Sequence, residues 1–186
     1  KKALELLNEL MNNGLEPNVI SYSASISACE KGMKWEKALE LLDEMKTKGL
    51  KPNVITYSAS ISACEKGLQW EKALELLSEM KTIGLKPNVI SYNATMSACK
   101  KGMQWEKALE LLREMKNARL TPDVISYNAA MSACEKGQQW EKVLGLLNEM
   151  KNQGLQPTVM SYSISISACV RGLQRETALD LLREMK

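Results

Sequence analysis

The amino-acid sequence predicts an all-α protein, an α-solenoid of stacked helix-turn-helix repeats. The first observation is a strict period of 35 residues, which is the signature of a repeat architecture. The second is a pair of apolar runs with helical spacing inside every period, and the third is a glycine and proline turn after the second run. The period is carried by Pro17, Pro52, Pro87, Pro122 and Pro157, by Tyr22, Tyr57, Tyr92, Tyr127 and Tyr162, and by Cys29, Cys64, Cys99, Cys134 and Cys169.

This period makes the whole chain, residues 1–186, a single repeat array. The first two full repeats differ at only five of their 35 positions. The chain begins inside a predicted second helix and stops at Met185 and Lys186, also inside one, without a polar capping helix. We therefore expect a segment of a longer array. Four full repeats lie between two partial ones, with the bounds 1–18 (partial), 19–53, 54–88, 89–123, 124–158 and 159–186 (partial).

The first helix of a repeat is predicted from one apolar face and from the residues at its ends. In the first full repeat, Tyr22, Ile26 and Cys29 recur at i, i+4 and i+7. Ser21 is the predicted N-cap, because serine side chains accept hydrogen bonds from the first turn. Gly32 is the predicted left-handed residue that ends the helix.

The second helix is predicted to begin near Trp35 and to end near Lys46. Trp35 opens an apolar stripe that continues to Met45, while acidic residues remain outside it. Gly49 and Pro52 then form a turn that cannot continue a helix. One helix pair cannot bury both apolar faces, whereas stacked pairs can. We expect the tryptophan, tyrosine and methionine residues to lie in the resulting core.

Composition excludes several classes of function. The chain has no histidine, so it cannot form a Ser-His-Asp or Cys-His catalytic site or a histidine-ligated zinc site. We therefore expect no enzyme activity, no cofactor and no metal. No apolar run approaches the roughly 18 residues of a membrane span, and the opening Lys1-Lys2-Ala3-Leu4-Glu5 is not a signal peptide. The net charge of +3 permits nucleic-acid binding without demonstrating it.

The five cysteines are predicted to be small buried residues. Each repeat carries one of them, so neighbouring cysteines stand one repeat apart, about 9–10 Å at helix-packing distances. A disulfide requires Cα atoms that are closer than this.

The repeat resembles the pentatricopeptide repeat family, in its plain 35-residue class. The motif V-x-[ST]-Y opens each first helix, as in Val54-Ile55-Thr56-Tyr57, and E-M-x-x-x-G-L-x-P-[ND] closes the repeat, as in 79–88. The resemblance implies a right-handed superhelix that binds single-stranded RNA, with one nucleotide per repeat. It also implies a role in RNA processing, stability or translation in mitochondria or plastids, although this chain shows no targeting segment.

The same resemblance implies that two residues read each base, namely the residue after the tyrosine and the residue after the closing proline. Serine with asparagine is similar to an adenine-type pair, and asparagine with aspartate to a uracil-type pair. A hydroxyl can donate to N1 of adenine, whereas an amide matches pyrimidine edges. The alternative is that these residues only cap helices and form turns. The pairs are Ser23 with Asn53, Ser58 with Asn88, Asn93 with Asp123, and Asn128 with Thr158.

Two further rows carry implied contacts to RNA. The residue after the opening valine is implied to sandwich the bases, or alternatively to lie in the core; this row is Ile20, Ile55, Ile90, Ile125 and Met160. A cation at the end of each first helix is implied to face phosphate, although the helix dipole alone favours a cation there. These cations are Lys31, Lys66, Lys101, Lys136 and Arg171, and Glu30, Glu65 and Glu135 beside them dilute their charge.

The sequence thus predicts an RNA-binding protein with modest selectivity, reading about A-A-U-pyrimidine from 5′ to 3′. A protein-binding scaffold is the alternative, since α-solenoids also offer long surfaces to peptides. An idealised array without a selected target is a third possibility. Single-stranded RNA is the expected partner, without a membrane or a small-molecule substrate, and the uncapped ends of the array could contact other proteins or a second copy.

Overall fold

The computed structural model describes residues 5, 7, 9, 10 and 12–185. Its described residues carry ten α-helices that alternate between first and second helices of the repeats, which confirms the predicted all-α solenoid of helix-turn-helix units. The helices are Val19–Lys31 (α1), Trp35–Thr47 (α2), Val54–Lys66 (α3), Trp70–Thr82 (α4), Val89–Lys101 (α5), Trp105–Asn117 (α6), Val124–Lys136 (α7), Trp140–Asn152 (α8), Val159–Arg171 (α9) and Arg175–Glu184 (α10).

The predicted helix in the partial repeat 1–18 is only partly described. Residues 5, 7, 9, 10 and 12 are helical, while 1–4, 6, 8 and 11 lie outside the described residues, as does Lys186. At the other end α10 ends at Glu184, so Met185 is not inside a helix as predicted. None of the helices in the described part of the chain combines the length and the apolar character needed to cross a membrane.

The first helix begins earlier than the sequence predicts, because Asn18 and not Ser21 is the N-cap. The backbone of Asn18 is extended, and its Oδ1 accepts hydrogen bonds from the N–H groups of Ile20 and Ser21, both at 3.0 Å. Asparagine and serine are about equally good N-caps, so residue type alone did not distinguish them. Ser21 instead occupies the third helical position.

The first helix also ends differently from the prediction. Gly32 has φ −86°, so it is not left-handed. The left-handed residue is the next one, Met33, with φ 53°. Leu68, Met103, Gln138 and Leu173 stand at the same place in later repeats and also have positive φ.

A different constraint explains the glycine. A β-carbon placed on Gly67 would lie 2.2 Å from Cδ1 of Trp35, and one on Gly137 would lie 2.3 Å from Cδ1 of Trp105. Trp35, Trp105 and Trp140, which open second helices, therefore pack on the glycine that ends the first helix of the following repeat. Close approach, rather than left-handed backbone, requires glycine there.

The second helix and its turn agree with the prediction to within one residue. α2 spans Trp35–Thr47, against a predicted end near Lys46. Gly49 follows with φ 72°, where a left-handed conformation favours glycine. Arg119 stands at the equivalent place after α6 and has φ 60°.

The core lies between the two helices of each repeat and between successive repeats. Tyrosines and cysteines at the repeated positions are buried, as predicted, and so are Leu42, Met45 and their equivalents in the other full repeats. The prediction for the remaining methionines was wrong at Met33, which is 71% exposed, and at Met103, because these residues lie in the exposed left-handed turn. The four tryptophans are half-buried rather than buried, and Trp35, Trp105 and Trp140 lie against the glycine of the neighbouring repeat.

Two compact units divide the chain, Lys1–Ala98 and Cys99–Lys186. In the first unit, α1 packs against α2 and α3, and α2 also packs against α3. In the second unit, α7 packs in the same way against α8 and α9, and α8 against α9. α2 and α8 thus each contact the first helix of their own repeat and of the next.

A tyrosine, a glutamate and a lysine join successive repeats. In the first unit, the hydroxyl of Tyr57 donates to Oε1 of Glu79 at 2.9 Å, and Nζ of Lys46 lies 2.7 Å from the same oxygen. Nζ of Lys46 is also 5.6 Å from the ring centroid of Tyr57, within cation–π range. In the second unit, Lys116, Tyr127 and Glu149 repeat this arrangement.

Candidate nucleic-acid interface

The predicted base-reading residues lie at the N-terminal ends of the first helices. The residue after the tyrosine is in the second turn of one first helix, and the residue after the proline is the N-cap of the next. In three of the four predicted pairs, both side chains lie within hydrogen-bonding distance of the same hydroxyl group. This hydroxyl belongs to the third residue of the first helix in the following repeat. The predicted readers therefore meet at the junction of two repeats.

The second pair shows this bridge most clearly. Oγ of Ser58 lies 2.8 Å from Oγ of Ser91. The Ser91 hydroxyl lies 3.0 Å from Oδ1 of Asn88, and Oδ1 also accepts the backbone N–H of Ser91 at 2.9 Å. Ser91 consequently connects both predicted readers of one base.

The first pair has the same connection. Oγ of Ser23 lies 3.0 Å from Oγ1 of Thr56, and that hydroxyl lies 3.0 Å from Oδ1 of Asn53. Ser23 also donates to the carbonyl oxygen of Val19 at 2.7 Å. The Val19 carbonyl oxygen and Oγ1 of Thr56 are therefore alternative acceptors for the single hydroxyl proton of Ser23.

The fourth pair replaces serine by asparagine. Oδ1 of Asn128 accepts a hydrogen bond of 2.7 Å from Oγ of Ser161, which lies 3.2 Å from Oγ1 of Thr158. This contact holds the amide with its oxygen toward Ser161. The Nδ2 donor of Asn128, in the same plane, then points away from Ser161.

The third predicted pair divides between the two compact units. Asn93 is half-buried in the first unit, and Asp123 is the N-cap of α7 in the second. Oδ1 of Asp123 accepts the backbone N–H of Ser126 at 2.8 Å.

The readers are recessed to different depths. Ser58 is only 6% exposed and Ser23 is also buried, whereas Asn128 is half-buried and Thr158 is exposed. The capping alternative is realised at all the proline-following positions for which a cap is resolved, because their side chains accept first-turn N–H groups. Capping engages the side-chain oxygen of asparagine and does not use its Nδ2 donor.

The residues predicted to sandwich bases are all exposed. Their exposed fractions run from 61% at Met160 to 76% at Ile20, so the alternative that they lie in the core is not what the structure shows. Ile55 precedes Ser58 by three residues on α3, and positions i and i+3 share a helix face. Each exposed isoleucine of this row therefore lies on the same helix face as the base-reading residue three positions later, and nearer to the solvent.

The predicted phosphate-facing cations are only partly available. Lys31 and Lys136 are exposed at the ends of their helices. Nζ of Lys66 pairs with Oε1 of Glu30 at 2.8 Å, and Nε of Arg171 pairs with Oε1 of Glu135 at 3.2 Å. Lys101 is half-buried at the end of α5. At two of these positions, a glutamate thus reduces the available positive charge, as predicted, by forming an ion pair with the cation of the next repeat.

Sequence reasoning missed the bridging hydroxyls of Thr56, Ser91 and Ser161. A signal was present, since serine or threonine stands three residues after the N-cap in each of these repeats, where the third residue of a capping box stands. The structure confirms capping boxes at Asn53 with Thr56 and at Thr158 with Ser161.

The cysteines have no part in this surface. Burial raises the pKa of the Cys64, Cys99 and Cys134 thiols to about 11, so they stay protonated near neutral pH. All five cysteines are buried and free, as predicted. In the part of the chain that the structure describes, no three acidic, cysteine or histidine side chains are grouped so as to hold a metal ion.

Comparison with known families and structures gives a consistent result. The pentatricopeptide repeat domain profile matches residues 5–67 and 75–137, and two further pentatricopeptide repeat profiles match 122–171 and 55–85. Comparison with the curated proteins gives no match.

Among solved structures, the pentatricopeptide repeat protein PPR10 from maize is similar, with 29% identity and a TM-score of 0.76 over 99% of this chain. PPR10 in complex with an 18-nucleotide psaJ RNA element matches with 26% identity and a TM-score of 0.57, also over 99%. The PPR domain of Arabidopsis thaliana protein-only RNase P 1, in complex with tRNA, matches in fold at 15% identity and a TM-score of 0.77, over 87% of this chain and 86% of that one. The chain spans 26% of the maize protein in the first of these structures and 32% in the second.

Proposed function

This chain belongs to the pentatricopeptide repeat family, and we propose that it binds single-stranded RNA along the N-terminal ends of its first helices, one nucleotide per repeat. One observation carries the proposal: within both compact units, the two predicted readers of a base meet at one hydroxyl beside an exposed apolar residue. A surface that only capped helices would not need that apolar residue to be exposed.

The exposed row supplies stacking. A base that enters between Ile55 of one repeat and Ile90 of the next finds apolar surface on both faces, and each stacked base contributes roughly 1–3 kcal/mol in sequence-tolerant sites. Its edge then faces Ser58 and Asn88. Stacking provides affinity, and the polar pair provides selection between bases.

The pairs favour A-A-U-pyrimidine in chain order. Serine with asparagine offers a hydroxyl donor and an amide to adenine, whereas asparagine as the first reader favours pyrimidines. We expect weak binding, with a dissociation constant in about the micromolar range or poorer, because few stacked bases must offset the ordering of a flexible strand.

The fourth pair offers the sharpest test. Changing Asn128→Ser together with Thr158→Asn gives this repeat the pair that stands at Ser58 and Asn88. Neither side chain lies in the apolar core, so the fold is retained. Competition between oligonucleotides that differ only at the fourth base should show a shift from pyrimidine toward adenine of about 1 kcal/mol, the contribution of one net hydrogen bond.

The first two bases are the internal control, since their readers are unchanged. An unaltered preference at the fourth base in a folded variant would mean that these residues only cap helices. A variant that loses binding to every oligonucleotide would instead indicate damage to the fold, which circular dichroism detects.

We further propose that the protein acts on RNA in mitochondria or plastids, in processing, stability or translation. The family resemblance supports this proposal. Localisation of the full-length natural protein by a fluorescent fusion tests the compartment.

A further inference from the structure

We infer that the bridging hydroxyl is a specificity-determining residue, because it makes the two base readers change their hydrogen-bonding character together. This inference rests on the proposed RNA-binding function. The junction of Ser58, Asn88 and Ser91 in the first unit carries the argument.

Ser91 is placed to couple the two readers. Its side chain is fully buried, with an exposed fraction of 0%, so water does not compete for its hydroxyl. Its Oγ accepts the backbone N–H of Asn88 at 3.4 Å and lies within 3.0 Å of both Asn88 Oδ1 and Ser58 Oγ. These contacts join two repeats through one atom.

The single proton of Ser91 has two oxygen acceptors within 3.0 Å, Oδ1 of Asn88 and Oγ of Ser58, while Sδ of Met80 at 4.0 Å is a weaker acceptor. The two oxygens permit two main arrangements. Oδ1 of Asn88 can only accept, so when Ser91 donates to it, the Ser58 hydroxyl must donate to Ser91. Ser58 then presents lone pairs to a base. When Ser91 donates to Ser58 instead, the Ser58 proton is released toward the base, and one lone pair of Asn88 Oδ1 is released with it.

The second arrangement matches adenine. The edge of adenine carries an acceptor at N1 and a donor at N6, so it pairs with a donating Ser58 and an accepting Asn88. In the first arrangement, N1 would face the lone pairs of Ser58, which is repulsive. Because one proton sets both groups, the site cannot offer a mixed pattern, and discrimination between bases is sharper than two independent side chains would give.

A hydroxyl also joins the two readers at the other two bridged junctions, although Ser23 donates to Val19 as well and Asn128 meets its bridge through an amide oxygen that can only accept. Thr56 joins Ser23 to Asn53, and Ser161 joins Asn128 to Thr158. Threonine and serine both serve as the bridge, so the hydroxyl is the shared feature.

The test removes and restores the hydroxyl at one junction. Wild type, Ser91→Ala and Ser91→Thr are titrated with labelled single-stranded RNA oligonucleotides that contain the core A-A-U-C and vary only at its second base. In Ser91→Ala, the preference for adenine at that base should fall by about fivefold, the factor that one net hydrogen bond carries. Ser91→Thr should retain it, since Thr56 occupies this position in the preceding repeat.

Ser21→Ala is the matched control for capping. Ser21 donates to Oδ1 of its N-cap Asn18 at 3.2 Å, so it makes the same capping contact as Ser91. It lies two repeats before Ser91, however, away from the readers of the second base, Ser58 and Asn88. We expect this variant to lose stability without a change in base preference. If Ser91→Ala does not fold, Ser91→Cys replaces it, because a thiol is a weak donor of similar size and should also lose the preference.

The possible outcomes distinguish a failure of the proposed coupling from a failure of the proposed RNA binding. A wild type that prefers adenine at the second base, together with a folded Ser91→Ala that keeps the full preference, overturns the coupling and leaves RNA binding intact. A wild type that binds none of the oligonucleotides overturns the proposed function and the coupling with it. Loss of the preference in Ser91→Ala with retention in Ser91→Thr supports the inference.

Discussion

The indole of Trp35 lies directly against Gly67, so that a β-carbon on the glycine would stand only 2.2 Å from Cδ1 of the ring. The same contact joins Trp140 to Gly172, where the distance would be 2.4 Å. The packing of these tryptophans therefore requires glycine, which has no side chain, at the contact position of the next repeat. This contact makes the junction between repeats sensitive to a single methyl group.

Gly67→Ala should destabilise the protein. The added methyl must displace a ring that is itself packed between two repeats, and overpacking of this kind costs about 1–3 kcal/mol. Urea denaturation followed by circular dichroism measures the change in the free energy of unfolding, and tryptophan fluorescence reports whether the indole has moved.

Gly32→Ala is the control for that variant. Gly32 is the equivalent residue of the first full repeat, but no indole contacts it, and its nearest neighbour to a β-carbon is the carbonyl oxygen of Ala28 at 3.3 Å. Its stability should change by less than about 1 kcal/mol. Equal losses at both positions would show that the tryptophan contact is not the cause.

Gly145→Ala should stabilise the protein. Gly145 lies within α8, and a β-carbon there would meet no atom within 4 Å. Alanine is favoured over glycine in a helix interior by about 1 kcal/mol, so the free energy of unfolding should rise by about that amount.

Gly154→Ala should have the opposite effect, although it too has open space. Gly154 has φ 76°, a conformation that costs roughly 1–2 kcal/mol for a residue with a β-carbon. Stabilisation by both substitutions would contradict the assigned backbone geometry.

The stability should fall as the pH rises from 9 to 11. Burial raises the pKa of the Cys64, Cys99 and Cys134 thiols from 9.0 to about 11. Between these values the unfolded chain has released protons that the folded chain still binds, so the free energy of unfolding decreases with pH, and this contribution is intact below pH 9.

A variant with alanine at these three cysteines isolates the effect from the titration of tyrosine and lysine. Its stability is lower throughout, because methyl-sized cavities replace the sulfur atoms, but its decline over the same pH range should be shallower. Parallel curves for the variant and the wild type would show that the thiols do not titrate as assigned.

Glu30→Gln should strengthen RNA binding and make it more sensitive to salt. Glu30 holds Lys66 in an ion pair of 2.8 Å, so its neutralisation frees a cation at the end of α3. If Lys66 then neutralises one phosphate, the slope of log K against log salt should steepen by about 0.7. Fluorescence anisotropy with the A-A-U-C oligonucleotide between about 50 and 200 mM salt measures the slope.

Glu40→Gln provides the comparison with the same change in net charge. It frees Lys37, which pairs with Glu40 at 2.8 Å on the second helix α2. We expect a smaller change in slope, because that helix does not carry the cation row. An equal change would mean that net charge, and not the position of Lys66, governs binding.

Much of the fold was predictable because the repeat supplies the same information several times. The period located every helix, and the buried cysteines followed from their spacing. The start of α1 was misplaced because Asn18 and Ser21 are both suitable caps, and only backbone geometry distinguishes them. The glycines at the ends of α3, α7 and α9 were assigned to the wrong cause, since close approach to a tryptophan of another repeat leaves no local pattern.

The candidate site was predictable in part. The resemblance to the family indicated the predicted readers and the isoleucine row, but it left open whether that row is exposed or lies in the core, which the structure answers. The bridge from Ser58 to Ser91 spans 33 residues and depends on the docking of one repeat on the next. The pairing of Lys66 with Glu30 has the same origin, so the number of unpaired cations could not be counted from the sequence.

The interlock of Lys46, Tyr57 and Glu79 has an evolutionary consequence. Lys46, Lys116 and Lys151 each contact the tyrosine and the glutamate of the repeat that follows. Recombination that inserts or deletes one whole 35-residue unit leaves each remaining lysine opposite a suitable acceptor. An insertion of any other length would separate the partners. The array can therefore gain or lose whole repeats without requiring a new kind of contact between neighbouring repeats.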